Sequence, residues 1–292
     1  MKTKGMDQST SDGTIMLAST FCHIPGISEK TEQALWSLGV RSWGSPLPTI
    51  GLNLPQSTRD IWNEHIQESI NHQQNLTPDY FAAKLPSREL WRLFYDFQQV
   101  AAFLDIETTG LFGGDITTIA LYDGVSIKHY VNGINLHEFP GDILNYRLLI
   151  TYNGRSFDIP YIETYFGIKL SHAHIDLRYP LRTLGLQGGL KGCEKLLGIS
   201  RDELNDVNGF DAVLLWNEYR KKGNPEVLNT LLAYNIQDTI VLHTLMVHTH
   251  NEKIKVTPFA NTYSMRKPIL PEIPFKADFN IVRKVRMGST GF

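Results

Sequence analysis

Chemistry in this chain concentrates in its carboxylates. In FLDIETTG (103–110), Asp105 and Glu107 stand two residues apart inside an apolar run. On a β-strand alternate side chains share a face, so the two acids project together while Leu104 and Ile106 point the other way. Like charges that close raise each other's pKa unless a cation neutralises them, and oxygen-only ligands suit Mg²⁺ or Mn²⁺. A strand that merely ends at the surface shows the same pattern, so the pair needs company. In TYNGRSFDIPYI (151–162), Asp158 follows an apolar stretch and precedes Pro160, which fits the first turn of a helix. It can cap that helix or lean over the end of a sheet toward Asp105. In YNIQDT (234–239), Tyr234 and Asp238 are four apart and share one face of a helix. Aspartate disfavours helix interiors, and this one follows Leu231 and Leu232, so a site is expected to need it there.

The elements that must position these residues read as strands first and helices after. Apolar, strand-like runs cover 100–106, 116–122, 125–131 and 147–152, the second and third joined by Asp123-Gly124 as a two-residue hairpin turn. Helical signals follow: Pro160 in a segment stopped by Gly167, a short piece at 190–197, then 211–222 with Arg220, Lys221 and Lys222 at its C-terminal end, and a long helix over 225–250 opened by Asn224-Pro225. The order predicts an α/β fold, a sheet that begins with three antiparallel strands and continues with others, covered by helices. Ahead of it, 15–86 reads as small and helical: Ser28 can cap a helix stopped by Gly39, and Thr58 can cap another through Ile61, Trp62, Ile66 and Ile70.

Composition excludes several classes. The 292 residues are 42% hydrophobic and 20% charged, enough for an ordinary core and too mixed for a disordered or coiled-coil chain. No apolar run is long enough to span a membrane, and the polar stretch 1–14 reads as a disordered N-terminus without a secretion signal, so a soluble, cytoplasmic protein is expected. Cys22 and Cys193 are too few for a disulfide framework or a four-thiolate zinc site. The net charge of −2 is unevenly spread. Residues 251–292 carry eight bases and three acids, against 20 bases and 27 acids in the rest. A basic tail with interleaved Phe259, Tyr263, Phe275 and Phe279 can track a phosphate backbone and stack on bases, or lie as a solvated extension over the main domain.

Taken together and in this order, the three carboxylate stretches resemble the exonuclease motifs of the DEDD superfamily, whose fold is RNase H-like. Tyr234, four residues before Asp238, resembles the DEDDy branch, as in the proofreading domains of family-B DNA polymerases. HIDL (174–177) and GLKGCEKLLG (189–198) are more closely similar to the YprB-type RNase H-like domain family. The resemblance implies an RNase H-like mixed sheet over 87–250, between the helical segment 15–86 and a basic extension at 251–292. It implies that Asp105, Glu107, Asp158 and Asp238 hold two Mg²⁺ or Mn²⁺ ions, about 3.5–4 Å apart as in two-metal sites. One ion would activate a water for attack on the terminal phosphodiester and the other stabilise the departing 3′-oxygen, with Tyr234 orienting the water. Thr108, Thr109, Asn153 and Phe157 would contact the terminal nucleotide of single-stranded DNA or RNA, and the activity would be 3′-to-5′ exonucleolytic. A structure-selective endonuclease on the same site and a non-catalytic nucleic-acid-binding or assembly protein are the rival readings. Four clustered acids argue against the last, since a binding module has no use for them against a polyanion.

Two further groups of residues bear on these readings. Phe21 to Leu35 resembles a helix-hairpin-helix hairpin, a phosphate-binding device, but Ser28 replaces its second glycine and Glu29 and Glu32 add negative charge, so a structural or docking role is at least as well supported. His172 with His174, and His248 with His250, lack a third ligand at metal-site spacing. His174 and Asp176, both in the HIDL stretch, are expected to pack or hydrogen-bond behind the site, and His248 and His250 to lie on a solvated helix end.

Overall fold

The computed structural model describes residues 15–110, 113–201 and 207–289; the stretch 1–14 lies outside them. A short turn at Leu17–Ser19 leads to α1 (Glu29–Ser37), α2 (Gln56–Gln74), α3 (Pro78–Lys84) and α4 (Leu93–Phe97). The sheet and its helices follow as β1 (Ala101–Thr108), β2 (Ile116–Tyr122), β3 (Ile127–Val131), α5 (Phe139–Asp142), β4 (Leu148–Thr151), α6 (Asp158–Phe166), β5 (Ala173–Asp176), α7 (Arg178–Thr183), α8 (Gly189–Leu196), α9 (Gly209–Lys222) and α10 (Pro225–Ile254). Beyond them come α11 (Ala260–Tyr263) and α12 (Phe279–Ser289). No helix among the described residues is long and apolar enough to cross a membrane.

The five strands form one mixed sheet in the order β3-β2-β1-β4-β5. β1, β2 and β3 pair antiparallel, and β4 and β5 add in parallel on the other side of β1. This is the expected architecture, an RNase H-like α/β fold. Alternation divides the sheet's side chains between two cores. Ala102, Leu104, Ile106 and Leu149 face α5 and α6, while Ala101, Phe103, Leu148 and Ile150 face α10. β1 is therefore apolar on both faces except where Asp105 and Glu107 interrupt the α10 side, and covering both faces is what a sheet with parallel strands requires.

The N-terminal helices pack on the α10 side and share its core. Phe94 meets Phe103 and His243 edge-on at 5.8 Å between centroids, and Trp36 meets Phe259 at 5.4 Å. Ser28 caps α1 as expected, accepting from the N–H of Thr31. Thr58 does not cap α2. The helix opens at Gln56 behind Pro55, and Thr58 lies buried inside its first turn, its hydroxyl donating to the Pro25 carbonyl at 3.3 Å. That hydroxyl is why the turn carries Gly26: at φ +84° a Cβ there would stand 2.3 Å from it.

The turn between β2 and β3 is wider than two residues. Asp123 Oδ1 accepts from the N–H groups of Val125 (2.9 Å) and Ser126 (2.6 Å), which holds both in the turn and starts β3 at Ile127. The helix expected to end at His250 runs on to Ile254, so His250 is not on a solvated end. It is fully buried, stacked on Tyr95 and donating from Nε2 to the Tyr263 carbonyl (2.7 Å), and burial lowers its pKa to about 4. The tail aromatics Phe259 and Tyr263 are likewise buried against Trp36 and Tyr95 rather than free to stack on bases. Further on, Ile281 and Val282 of α12 seat in the core shared with α9, and Arg286 pairs with Asp211 at 2.6 Å.

Asp96 ties the start of the described chain to α4: its carboxylate accepts from the N–H groups of Met16 (3.1 Å) and Leu17 (2.7 Å). Burial raises its pKa to about 7, outweighing the two hydrogen bonds that lower it. A carboxyl titrating at about 4 when unfolded and near 7 when folded favours the folded state fully only below the lower value, and that contribution is lost as pH rises between them. Asp96→Asn, which resembles the protonated form, should match wild type in Tm most nearly below pH 4 and exceed it by a few degrees above pH 7. Parallel Tm–pH curves for the two proteins would contradict this assignment.

Candidate active site

β1 presents its two acids beside the middle of α10. Asp105 is half-buried opposite Ala120, and Glu107 is buried opposite Thr118, just before the register shifts at Thr108. Asn235 locks the helix to the strand here. Its amide donates to Asp105 Oδ2 at 2.7 Å and to the Asp105 carbonyl at 3.2 Å, and its own oxygen accepts from Thr118 Oγ1 at 3.0 Å. Three residues on, at nearly one helical turn, Asp238 comes to the same side, and ligand atoms of Asp105, Glu107 and Asp238 all lie within 4.8 Å of one another.

Asp158 joins them from the other motif. It is the first residue of α6, buried, and accepts from the N–H of Ile106 at 3.2 Å, which draws the start of α6 against β1 between the two strand acids. It lies outside the 4.8 Å set, yet its charge reaches both strand acids. Burial first, then Asp238 and Asp158, hold the carboxyls of Asp105 and Glu107 well above the usual carboxylate range. Burial pushes Asp158 to about 7. Such crowding is costly without a neutralising cation, and a donor set made only of carboxylate oxygens fits a hard divalent ion. RNase H-like nucleases use divalent metal ions, and this acidic cluster is a place among the described residues that could hold them.

Tyr234 is buried one helical turn before Asp238. Burial, and then the charges of Asp238, Glu107 and Asp105, raise its pKa, so the phenol keeps its proton. The other residues expected to meet substrate all have local partners. Thr108 Oγ1 donates to the Gly110 carbonyl (2.8 Å), and Thr109 Oγ1 accepts from the N–H of Asp115 (2.9 Å). Asn153 sits at φ +65° with its N–H donating to Asp176 and its side-chain oxygen accepting from Arg178. Phe157 packs against Tyr161 at 5.5 Å. Behind the site, His174 bonds Thr151 at 2.9 Å, and Asp176 accepts from the N–H groups of Asn153, Arg155 and Arg178, so this pair supports the motif loop as expected.

Sequence reasoning missed four residues at the site, Asn235 and the three that follow. Arg201 forms a buried ion pair with Asp238 and another with Glu194, and Lys191 of α8 places its ammonium 4.8 Å from the centroid of the Tyr234 ring. Lys191 and Glu194 belong to GLKGCEKLLG, whose basic and acidic positions gave a usable hint. Arg201 stands alone in its stretch and gave none.

Residues 102–250, just over half of the chain, match the sequence pattern of the RNase_H superfamily. The chain is 32% identical over 170 residues to the uncharacterized protein YprB of Bacillus subtilis (strain 168), across 50% of this chain and 41% of that protein, so it spans less than half of the relative's length. Among solved structures it is similar to the family B DNA polymerase from the hyperthermophilic archaeon Pyrobaculum calidifontis, at 15% identity and a TM-score of 0.40, covering 53% of this chain and 24% of the polymerase.

Proposed function

Since the chain belongs to the RNase H superfamily, we propose that it is a metal-dependent 3′-to-5′ exonuclease of single-stranded DNA or RNA. The observation that carries this reading is the convergence of Asp105, Glu107 and Asp238 within 4.8 Å, with the charge of Asp158 acting on both strand acids. Two Mg²⁺ or Mn²⁺ ions held by these four residues would activate water and neutralise the departing oxygen. The chain's own part is positioning. Asn235 fixes the carboxylate of Asp105, the α6 N-terminus fixes Asp158, and the protonated hydroxyl of Tyr234 is available to orient a water. Thr108, Thr109, Asn153 and Phe157, each already held by a local contact, would meet the terminal nucleotide with little reordering.

The test is a linear single-stranded oligonucleotide labelled at either end, beside a covalently closed circle, each as DNA and as RNA. An exonuclease shortens the linear strand from its 3′ end and leaves the circle intact. Linearised circles would replace this reading by the endonuclease, and binding without cleavage of any substrate by the non-catalytic one.

A further inference from the structure

Two cations flank the carboxylates, Lys191 from α8 and the buried Arg201 from the stretch that follows that helix, and they are held differently. The Lys191 ammonium has no hydrogen-bond partner among the described residues. Arg201 is clamped between two acids: its Nε donates to Glu194 Oε2 at 2.7 Å, and its Nη1 pairs with Asp238 Oδ1. All three side chains of this triad are almost wholly shielded from water. The guanidinium is permanently charged, planar and rigid, and it cannot be neutralised by proton loss. Burial works against its charge, and Asp238 and Glu194 more than offset that.

Asp238 therefore has two suitors. It belongs to the set of three acids that converge for a metal, and it is already engaged by an internal cation. Two cations drawing on one carboxylate repel each other strongly where water is excluded. Glu194 lies outside the three-acid set, so it gives the guanidinium a second anion to stay on. A cavity of about 510 Å³ lined by Lys191, Glu194, Lys195 and Arg201 provides room on that side for the side chain to withdraw. We propose that Arg201 is the resident counter-ion of Asp238, which a divalent metal must displace toward Glu194, so that the Arg201–Glu194 pair sets the metal concentration at which the site loads. This inference rests on the reading of the carboxylates as a metal site and adds how its loading is regulated.

Mn²⁺ binding to the full chain, followed by electron paramagnetic resonance of free Mn²⁺ and by calorimetry, tests it without an activity assay. Arg201→Gln removes the competitor and should bind Mn²⁺ about tenfold tighter than wild type. Arg201→Lys keeps the charge and should stay within about threefold of wild type. Glu194→Gln removes the anion that competes with Asp238 for the guanidinium and should bind about threefold or more weaker. A purely structural Arg201 would weaken binding when replaced, so equal or weaker binding by Arg201→Gln overturns the proposal while leaving the metal site standing. Should that variant not fold, unchanged or tighter binding by Glu194→Gln overturns it instead. Wild-type protein that binds no Mn²⁺, indistinguishable from Glu107→Gln, removes the metal reading itself and this inference with it.

Discussion

Glu107→Gln is expected to lower phosphodiester cleavage by about a thousandfold or more, some 4 kcal/mol of transition-state stabilisation, while the EDTA-treated protein melts no lower than wild type. The two halves of this result follow from one fact. Glu107 is buried among Asp238 and Asp158, and its carboxyl is held well above the usual range by burial first and by those charges second. Without metal its negative charge is a liability to the fold, so an isosteric neutral amide costs nothing or helps. With metal the same charge is a ligand, and an amide oxygen binds a hard cation far less strongly than a carboxylate. Asp105→Ala and Asp238→Asn should lose activity to a similar extent. Their melting behaviour is less clean, because Asp105 also holds Asn235 and Asp238 also holds Arg201. Glu107→Gln with wild-type rates would remove Glu107 from the chemistry; a Tm several degrees below wild type in EDTA would assign it to the fold.

The second large effect is on stability. At pH 8, saturating Mg²⁺ or Mn²⁺ should raise the Tm above that in EDTA by roughly 5–8 °C, the shift expected for a ligand at about a hundred times its dissociation constant. At pH 5.5 the increment should fall below half of that. The sign follows from the folded pKa values, which are raised. Asp158 titrates near 7, and Asp105 and Glu107 also lie well above their ordinary range, so at pH 5.5 the folded site holds protons that a metal must expel. In EDTA the contribution of these carboxyls reverses: groups with raised folded pKa values favour the fold at low pH and cease to do so as pH rises through them, so metal-free Glu107→Gln should gain in Tm on metal-free wild type between pH 5.5 and pH 8. Differential scanning fluorimetry across pH, with and without metal, measures both slopes. A metal increment that is absent at pH 8, or larger at pH 5.5, would contradict the account.

Much of the site was legible because strand alternation and helical spacing are local rules. Asp105 and Glu107 share a face of β1 for the reason their spacing suggested, and Asp238 sits mid-helix, where an aspartate needs a reason to be. β5 was harder to place, since its four residues, Ala173–Asp176, are too short to show a period. The misreadings have a common cause in side chains that pair across long separations. Thr58 looks like a cap until Pro25 is found beneath it, and His250 looks solvated until Tyr95 and Tyr263 close over it. Phe259 and Tyr263 look like a stacking platform until Trp36 and Tyr95 take their faces. Arg201 reaches Asp238, 37 positions away, and no periodicity announces such a partner.

The most direct test of the central claim is degradation of a 3′- or 5′-labelled single-stranded oligonucleotide by purified wild type with Mg²⁺, with Mn²⁺ and with EDTA, Glu107→Gln alongside. The account predicts a ladder shortened from the 3′ end with either metal, abolished by EDTA and by the substitution. A ladder that persists in EDTA, or that Glu107→Gln produces at the wild-type rate, would contradict it.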